Sequence, residues 1–271
     1  MLRIHTDEPP IGVQIFGSSP EIMAKAGAMV EDMLSPLCID INAGCPKYKV
    51  IKQGGGGSLL KKPDTLERVV RSVVDEVSIP VTVKIRSGFD RIDHLALGEA
   101  VQSAGASAIT LHPRTVRESY AVPSRRDEIT QLKKHLDIPV VGSGDVLHPE
   151  DALDLQLSTG CDGVMVARGM MGYPWFAREA LALMDGRKIQ PPSWEYRFDV
   201  ALRHSRYMVS EMGEHLGIRR MRKHLFWYMK GHPLKRSFRD RITQAETLDD
   251  MGKIVDDALG LSDKYKTEIW H

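Results

Sequence analysis

CIDINAGCPKYKVIKQGGGGSLLKKPDTLERVVRSVVDEVSIPVTVKI (residues 38–85) contains one complete unit of the pattern that decides the fold. The runs CIDIN (38–42) and VTVKI (81–85) are short, apolar and rich in β-branched residues, which predicts two strands. Between them, the apolar residues of PDTLERVVRSVVDEV (63–77) recur at helical spacing, which predicts an amphipathic helix. A strand, a helix and a second strand in this order predict two parallel strands joined by a right-handed crossover.

The same alternation runs through the first two thirds of the chain. Helix candidates separate six strand candidates, at residues 13–16, 38–42, 81–85, 108–112, 138–142 and 163–167. Alternation of this kind predicts an α/β fold with a parallel sheet. The last unit runs from a strand through a Gly-rich turn into a helix. Together with the preceding Ser-Gly-Asp turn, it is typical of the phosphate-binding end of a (β/α)8 barrel. Six units are two fewer than a closed barrel needs, so the fold is either an open sheet or an incomplete TIM barrel.

A Pro-rich stretch, IQPPSWEYR (189–197), ends the alternation. After it the pattern is helical only, with helices predicted at residues 195–217, 219–230, 235–244 and 247–260. We therefore expect two domains, a (β/α) barrel domain at residues 1–188 and a small helical domain at residues 189–271.

The composition argues against several classes of protein. MLRIHTDEPP (1–10) has no apolar core typical of a secretory signal, and no apolar run approaches the roughly 20 residues that span a bilayer. The three cysteines, Cys38, Cys45 and Cys161, are scattered without a CxxC pair, which argues against a disulfide framework or a zinc site. We therefore expect a cytoplasmic protein with no membrane segment, no metal and no obligate protein partner.

The loop that contains Cys45 and the four glycines at 54–57 is the most unusual part of the sequence. Cys45 follows a predicted strand directly, and the active sites of parallel α/β proteins form at the carboxyl ends of strands. A thiol in an ordinary environment is mostly protonated at neutral pH, so it can donate a proton. The alternative is a buried cysteine that acts as a small apolar residue, as we expect for Cys38 and Cys161.

The four glycines allow three interpretations. They form a flexible linker, a turn without chemistry, or a functional loop. In the functional loop, glycine lets the backbone approach a ligand closely and exposed N–H groups bind phosphate. A linker separates domains, whereas this run lies between consecutive strands of one predicted sheet. We favour the functional loop.

Polar residues also lie in or near two other predicted strands. Lys84 alternates with the apolar residues of its strand, so it faces the opposite side of the sheet. A charge there requires an anionic partner, such as a reduced flavin. His112 and Arg114 end the next strand in the same way. The alternatives are a lysine of an edge strand that reaches solvent, and a structural histidine.

The net charge of the chain is +1, but residues 219–241 are strongly basic. This segment contains nine Lys and Arg residues and one acidic residue, Asp240, with aromatic residues interleaved. Such a patch is typical of nucleic-acid binding. The alternative is a solvated helix face with a buried aromatic stripe. Our candidates for RNA contacts are Arg219, Arg222 and Lys223.

Six motifs together resemble the tRNA-dihydrouridine synthases, and the bacterial B-type branch in particular. They are VQIFGSSPEIMAKAG (13–27), DINAGCPKYKVIKQGGGGSLLKKP (40–63), PVTVKIRSG (80–88), ITLHPRT (109–115), PVVGSGDV (139–146) and DGVMVARGMMGYPWF (162–176). The resemblance extends through the helical tail. It implies an FMN-binding (β/α)8 barrel and a C-terminal helical domain that helps to hold tRNA. It also implies an enzyme that uses NADPH to reduce uridine in tRNA to 5,6-dihydrouridine.

The resemblance implies a role for each matching residue. Cys45 is the implied proton donor to C5 of uracil, on the face opposite the hydride that reduced flavin delivers to C6. Asn42 is implied to belong to the flavin and uracil site, and Arg114 to contact flavin or substrate. The residues implied to bind FMN are Gln14, Lys84 and His112, with Ser143, Gly144, Asp145, Ala167 and Arg168 at its phosphate.

The sequence departs from the family pattern in four places. The family begins with two further βα units, about 60 residues, that are absent here, which matches the count of six units. HPR (112–114), SGD (143–145) and Ala-Arg (167–168) replace HGR, NGD and Gly-Arg. Two other interpretations therefore stay open. One is a degenerate homologue that binds RNA but holds flavin poorly, and the other is a flavin-dependent dehydrogenase of free pyrimidines. The basic segment argues against the dehydrogenase.

Overall fold

The computed structural model describes residues 8 and 11–268, with residues 261–268 described by their backbone alone. Six parallel strands form one sheet in chain order. They are β1 (Gly12–Ile15), β2 (Cys38–Ala43), β3 (Val81–Arg86), β4 (Ala108–His112), β5 (Val140–Ser143) and β6 (Gly163–Met165). Consecutive parallel strands that pair in chain order are the arrangement of a (β/α)8 barrel. The predicted incomplete TIM barrel of six βα units is therefore confirmed.

Helices connect the strands and continue after the last of them. Up to residue 184 they are α1 (Pro20–Leu34), α2 (Tyr48–Lys52), α3 (Pro63–Glu76), α4 (His94–Ser103), α5 (Arg126–His135), α6 (Pro149–Thr159) and α7 (Phe176–Met184), with 3-10 helices at Gly56–Lys61 and Arg168–Met170. The remaining helices are α8 (Trp194–Met212), α9 (Glu214–Tyr228), α10 (Arg239–Gln244) and α11 (Leu248–Glu268). Across residues 11–268, no helix combines the length and the apolar character that a membrane span needs.

The helical region differs from the sequence prediction at several helix ends. The helix predicted at 235–244 begins only at Arg239, and the helix predicted at 247–260 extends to Glu268. The pattern predicts one helix over residues 195–217, but α8 ends at Met212 and α9 begins at Glu214. Gly213 lies between them with a φ of 75°, a conformation that glycine adopts without steric cost. Hydrophobic periodicity misses such a break because apolar positions continue on both sides of it.

Alternation along the strands builds the core beneath the sheet. In β2 and β3, the side chains of Ile39, Ile41, Val83 and Ile85 are fully buried. Burial of one such side chain contributes roughly 1.5–3 kcal/mol to folding. The predicted amphipathic helix α3 adds four more side chains that are fully buried: Leu66, Val69, Val70 and Val73. The residues between the buried ones in both strands are mostly polar and lie on the opposite face of the sheet, where the candidate site is built.

The chain divides into two compact units. The first contains the sheet and comprises the described residues up to Val146 together with Glu150–Val166. The second comprises Leu147–Pro149 and the described residues from Ala167 onward. The fully buried side chains in the core of the second unit are Phe198, Ala201, Ile218, Met221, Met229, Ile242, Met251 and Ala258.

Gly217 allows α9 to approach α8 closely. A Cβ at this position would lie 2.7 Å from the carbonyl oxygen of Met208 and 2.9 Å from the backbone nitrogen of Val209. Both are backbone atoms, which cannot rotate away as a side chain can. A side chain at residue 217 therefore forces the two helices apart.

We predict that Gly217→Ala lowers the free energy of unfolding by about 1–3 kcal/mol, the cost of overpacking a close contact. The matched control is Gly252→Ala in α11, where an added Cβ has no neighbour within 4 Å. This control should raise stability by up to about 1 kcal/mol, because alanine is the better helix former. Thermal denaturation followed by circular dichroism measures both. Shifts of the same sign in the two variants would contradict the packing argument.

Candidate active site

One face of the sheet collects polar side chains from four strands. Side chains that pair in the parallel register project to the same face. Gln14 pairs with Asp40, and Asn42 pairs with Lys84. In β1 to β4 the set is Gln14, Asp40, Asn42, Thr82, Lys84, Arg86, Thr110 and His112. Ser143 at the end of β5 faces the same side, because Val141 pairs with Thr110. Five of the site residues proposed from the sequence therefore share this face, which we call the polar face.

Hydrogen bonds run from the polar face to the loop that carries Cys45. Gln14 Nε2 donates to Asp40 Oδ2 at 2.6 Å, and Asn42 Nδ2 donates to Gln14 Oε1 at 2.8 Å. Asn42 Oδ1 accepts from the backbone N–H groups of Gly44 at 3.1 Å and Cys45 at 3.0 Å. Asn42 thus uses its donor on the strand side and its acceptor on the loop side. These bonds fix the backbone of Cys45 just beyond the carboxyl end of β2.

The glycine run packs against the Cys45 loop. Gly54 and Gly56 have φ values of 80° and 55°, which other residues adopt only with strain. A Cβ on Gly56 would lie 3.0 Å from the Cys45 Cβ, and one on Gly57 would lie 3.1 Å from the Cys45 carbonyl oxygen. Because Gly55, Gly56 and Gly57 are buried, the flexible-linker alternative is wrong. The position of Cys45 depends on the absence of side chains here.

The backbone N–H groups of the glycine run are mostly occupied. Those of Gly54, Gly55 and Gly57 donate to carbonyl oxygens within the same loop. The acceptors are Ile51, Val50 and Cys45, respectively. The part of our favoured interpretation in which exposed N–H groups bind phosphate is therefore wrong for these three glycines, and the close approach of the loop backbone to a ligand stays a prediction. Their function is close packing around Cys45.

Arg114 fixes the protonation state of His112. The Arg114 side chain is 1% exposed, and its Nη1 lies 3.0 Å from His112 Nε2. An arginine N–H can only donate, so His112 Nε2 accepts and the imidazole proton is on Nδ1. Arg114 Nη2 also donates to Asp145 Oδ2 at 2.5 Å, and the same oxygen accepts from the backbone N–H of Ser124 at 2.9 Å. This geometry makes Arg114 a positioning residue for His112, while its contact with flavin or substrate stays a prediction.

Burial and positive charge shift the titration of the polar face. Burial is the main cause that lowers the pKa of His112 to about 3. Neighbouring cations act in the same direction, namely Lys84, Arg86 and Arg114. Burial and the charge of Arg86 lower the pKa of Lys84 to about 8, whereas the charge of Asp40 opposes that shift. At neutral pH the face therefore presents a neutral imidazole beside a charged ammonium group.

The turn at residues 143–145 packs against the same histidine. Gly144 and Asp145 have φ values of 110° and 53°. A Cβ on Gly144 would lie 2.9 Å from His112 Cδ2, so both the backbone conformation and the close contact require glycine. Ala167 and Arg168, the other predicted phosphate contacts, belong to the second unit, where the 3-10 helix begins at Arg168.

The three predicted RNA contacts lie on α9. Arg219 and Lys223 are exposed and lie one helical turn apart. Lys223 Nζ lies 5.7 Å from the ring centre of Trp227. Arg222 is half-buried, and its Nε donates to the carbonyl oxygen of Ala245 at 2.8 Å. Arg222 therefore joins α9 to the end of α10, a structural contact that a count of charges cannot reveal.

Sequence reasoning missed several residues of the site, namely Thr82, Arg86 and Thr110 on the polar face, and also Asp40 and Tyr120. Asp40 accepts the first of the hydrogen bonds that lead through Gln14 and Asn42 to Cys45. Asp40 lies two residues before Asn42 in β2, so the alternation of the strand could have indicated that both share one face. The ring of Tyr120 stacks on His112, with centroids 6.1 Å apart and planes inclined by 21°. The Arg114 guanidinium carbon lies 5.6 Å from the same ring. Tyr120 follows β4 in an irregular loop, where no periodicity marks it.

We predict that His112 stays neutral, with its proton on Nδ1, between about pH 8 and pH 5. Its pKa of about 3 lies far below the ordinary 6.5. The unfolded chain therefore binds this proton below about pH 6.5, whereas the folded protein binds it only near pH 3. The contribution of His112 to stability is complete above pH 6.5 and decreases as the pH falls towards 3. Nitrogen NMR of histidine-labelled protein measures both the tautomer and the titration. A midpoint for His112 near 6.5, or a proton on Nε2, would contradict the assignment.

The chain is similar to known proteins over most of its length. The profile of the dihydrouridine synthase (Dus) family matches residues 1–262. A "Probable tRNA-dihydrouridine synthase" of Treponema pallidum is 37% identical over 270 residues, which cover 95% of this chain and 79% of that protein. A protein of the same name from Mycobacterium leprae is 36% identical over 93% of this chain and 67% of its own length. "tRNA-dihydrouridine synthase B" of Xanthomonas axonopodis is 38% identical over 90% of this chain and 75% of its own length. The chain therefore belongs to the dihydrouridine synthase family, a family of oxidoreductases.

Proposed function

We propose that this chain reduces uridine in tRNA to 5,6-dihydrouridine, with bound FMN, NADPH as the reductant and Cys45 as the proton donor. The observation that carries the proposal is the position of Cys45. Its loop is held beside the polar face by two backbone N–H groups that donate to Asn42 Oδ1 and by a closely packed glycine run. Cys45 is partly exposed, but so is Cys38, so our expectation of a buried apolar cysteine is wrong for Cys38 and correct for Cys161 alone. The position of Cys45 in its loop, and not its exposure, therefore supports the proposal.

The donors of the polar face fit an anionic ring system. His112 offers an Nδ1 proton, and Lys84 offers an ammonium group. Burial is the main cause that lowers the pKa of both groups, and neighbouring cations add to it. A negative charge placed among these cations would relieve their repulsion. A reduced flavin carries such a charge near N1 and O2. We therefore propose Lys84, His112 and the neighbouring amide of Gln14 as the flavin contacts.

The phosphate of FMN needs a second group of donors. The residues that we propose for it are Ser143, Gly144, Asp145, Ala167 and Arg168. Successive backbone N–H groups in a turn can form a concavity that binds an anion, and the chain bends at Gly144 and Asp145, where φ is positive. The carboxylate of Asp145 is engaged by Arg114, so its contribution to phosphate is through the backbone. Arg168 would add a guanidinium group, a strong partner for phosphate.

When bound, the flavin supplies the hydride, taken from NADPH, that C6 of uracil receives. The Cys45 thiol donates a proton to C5 from the other side, because C5 becomes basic only as the hydride arrives. Asn42 sets the position of the thiol through the loop backbone. We propose that the second proton of its Nδ2, which these hydrogen bonds do not use, contributes to the flavin and uracil site. Arg114 holds the His112 ring in one tautomer, so the donor on the polar face is constant.

A uridine within folded tRNA must leave its stack to reach such a site. We propose that residues 1–188 form the FMN-binding domain and residues 189–271 the tRNA-binding domain. The basic segment 219–241 supports this division, with Arg219, Arg222 and Lys223 as contacts to phosphates. We place the reaction in the cytoplasm because the proposed substrate is tRNA.

We predict that Cys45→Ala lowers dihydrouridine formation on tRNA by about 10²- to 10⁴-fold, the usual contribution of a positioned acid. The visible absorbance of bound flavin and the oxidation of NADPH should persist, because no proposed flavin contact is changed. The control is Cys38→Ala at the start of the same strand, which should form product normally.

Three results of this experiment would contradict the proposal. Normal product in Cys45→Ala would remove the proton donor. Equal turnover of free uracil and tRNA would indicate a dehydrogenase of free pyrimidines. Purified protein without flavin absorbance, and without recovery when FMN is added, would indicate a degenerate RNA-binding homologue.

We also predict that the double variant Arg219→Ala, Lys223→Ala weakens tRNA binding and flattens its salt dependence by roughly 0.7–0.9 per lost phosphate contact. Arg222 is left intact because it bonds Ala245. The control is Lys253→Ala, an exposed lysine of α11 outside the basic segment. Fluorescence anisotropy with labelled tRNA at several salt concentrations measures the slopes. If the salt dependence of tRNA binding has the same slope in the double variant and in the unmodified protein, the basic face of α9 is excluded as a contact to RNA phosphates.

A further inference from the structure

A shallow pocket lies between the chain that enters α7 and the first turns of α8. We call it the α7–α8 pocket. It has a volume of about 340 Å³ and is lined by Pro174, Trp175, Arg178, Tyr196, Val200 and Arg203. This volume is at the lower end of the range typical of small-ligand sites. Tyr196, Val200 and Arg203 are spaced four and three residues apart, so they project from one face of α8.

Two aromatic rings, inclined to each other by 51°, form the apolar side of the pocket. Trp175 is 6% exposed and lies in the core of the second unit, where its ring centre is 4.8 Å from that of Tyr173. Its ring centre is 5.8 Å from that of Tyr196, which is 43% exposed. The ring of Trp175 is therefore fixed by its packing in the core of the second unit. A large part of the Tyr196 side chain is exposed, so its ring can contact a ligand. An exposed ring on a fixed support is a platform on which a planar group can stack.

The charge of the pocket is positive. Arg178 is exposed, and no acidic group among the described residues pairs with it. The nearest acidic partner of Arg203 is Asp199, at 3.9 Å, and both side chains are more than half exposed. An ion pair of this length and exposure holds the guanidinium weakly. No acidic residue lines the pocket itself, so both guanidinium groups can reach an anion there.

We propose that the α7–α8 pocket binds one unpaired nucleotide of the RNA, a step that rests on the proposed function of the chain. The base stacks on Tyr196, and Arg178 and Arg203 bind the adjacent phosphate. Aromatic rings beside guanidinium groups are the combination that binds unpaired nucleotides in single-stranded RNA. An acidic peptide would match the charge, but it would leave the exposed ring of Tyr196 without a planar partner. The pocket therefore supplies an anchor for RNA that is separate from the basic segment.

The test measures the binding of labelled, unmodified tRNA transcript without NADPH, so that no turnover contributes. Tyr196→Leu keeps an apolar contact to Trp175 but removes the stacking ring, and it should weaken binding about 5- to 100-fold. The double variant Arg178→Ala, Arg203→Ala should weaken binding and flatten the salt dependence by roughly 0.7–0.9 for each lost contact. The matched controls are Tyr207→Leu, an exposed tyrosine of α8, and Arg187→Ala, an exposed arginine outside the pocket. Both controls should bind within twofold of the unmodified protein.

Two competing occupants form further arms of the test. NADPH is titrated because a free nucleotide offers the same base and phosphate, and poly-glutamate is titrated as an acidic peptide. We expect the pocket variants to leave NADPH affinity unchanged and poly-glutamate to compete poorly with tRNA. The proposal would be overturned if the pocket variants bind NADPH more weakly but bind tRNA normally. It would also be overturned if poly-glutamate binds the unmodified protein as strongly as tRNA does and the same variants lose that binding. Normal tRNA binding in both pocket variants would overturn it as well.

Separate readouts distinguish the pocket from the reaction. If the pocket variants form dihydrouridine and bind tRNA with normal affinity, the proposed nucleotide site is contradicted and the proposed reaction is not. A second outcome is that the unmodified protein binds tRNA but forms no dihydrouridine, and that the pocket variants weaken this binding. That outcome would support the proposed nucleotide site and contradict the proposed reaction. Thermal denaturation reports whether Tyr196→Leu is folded. If Tyr196→Leu does not fold, the double variant Arg178→Ala, Arg203→Ala still decides the test, because it is changed only at exposed positions.

Discussion

The side chain of Asn42 connects strand β2 to the loop that carries Cys45, and the arrangement of the candidate site depends on that connection. Asn42 can make it only because β2 keeps one register, with Ile39 and Ile41 fully buried on one face and Asp40 and Asn42 on the other. A shift by one residue would bury the polar pair and expose the isoleucines, which the hydrophobic core opposes. The same apolar contacts that stabilise the fold therefore hold the cysteine in place.

The electrostatic character of the site follows from the neighbouring strands. β3 and the chain after β4 bring three cations close together, and only two carboxylates offset them. The cations are Lys84, Arg86 and Arg114, and the carboxylates are Asp40 and Asp145. Asp40 is itself fixed, because Thr82 Oγ1 donates to its Oδ1 at 2.7 Å. An excess of fixed positive charge on a partly buried face favours an anionic ligand. The pKa of His112 is so low that its imidazole acts as a neutral donor and does not add to that charge.

The sequence was sufficient for the six strands and for the polar alternation of Lys84 with its neighbours, because a period of two residues survives in any strand with one buried face. It also led to Cys45 and Asn42 through the family motifs. It could not give the packing of the glycine run against Cys45, which depends on how the loop folds back on itself. The hydrogen bond from Arg222 to Ala245 and the stacking of Tyr120 on His112 could not be predicted for the same reason, because they also depend on how the chain folds. Such contacts arise from tertiary structure and leave no periodic signal.

The hydrogen-exchange rate of the Cys45 amide tests the connection from the polar face to the cysteine most directly. Gln14 does not contact Cys45, but its Oε1 accepts from the Asn42 side chain that holds the Cys45 N–H. In Gln14→Leu, with a fold of unchanged thermal stability, the Asn42 amide loses its partner on the strand. The Cys45 amide should then exchange several-fold faster than in the unmodified protein. An unchanged exchange rate at Cys45 would show that the strand does not position the cysteine through this chain of hydrogen bonds.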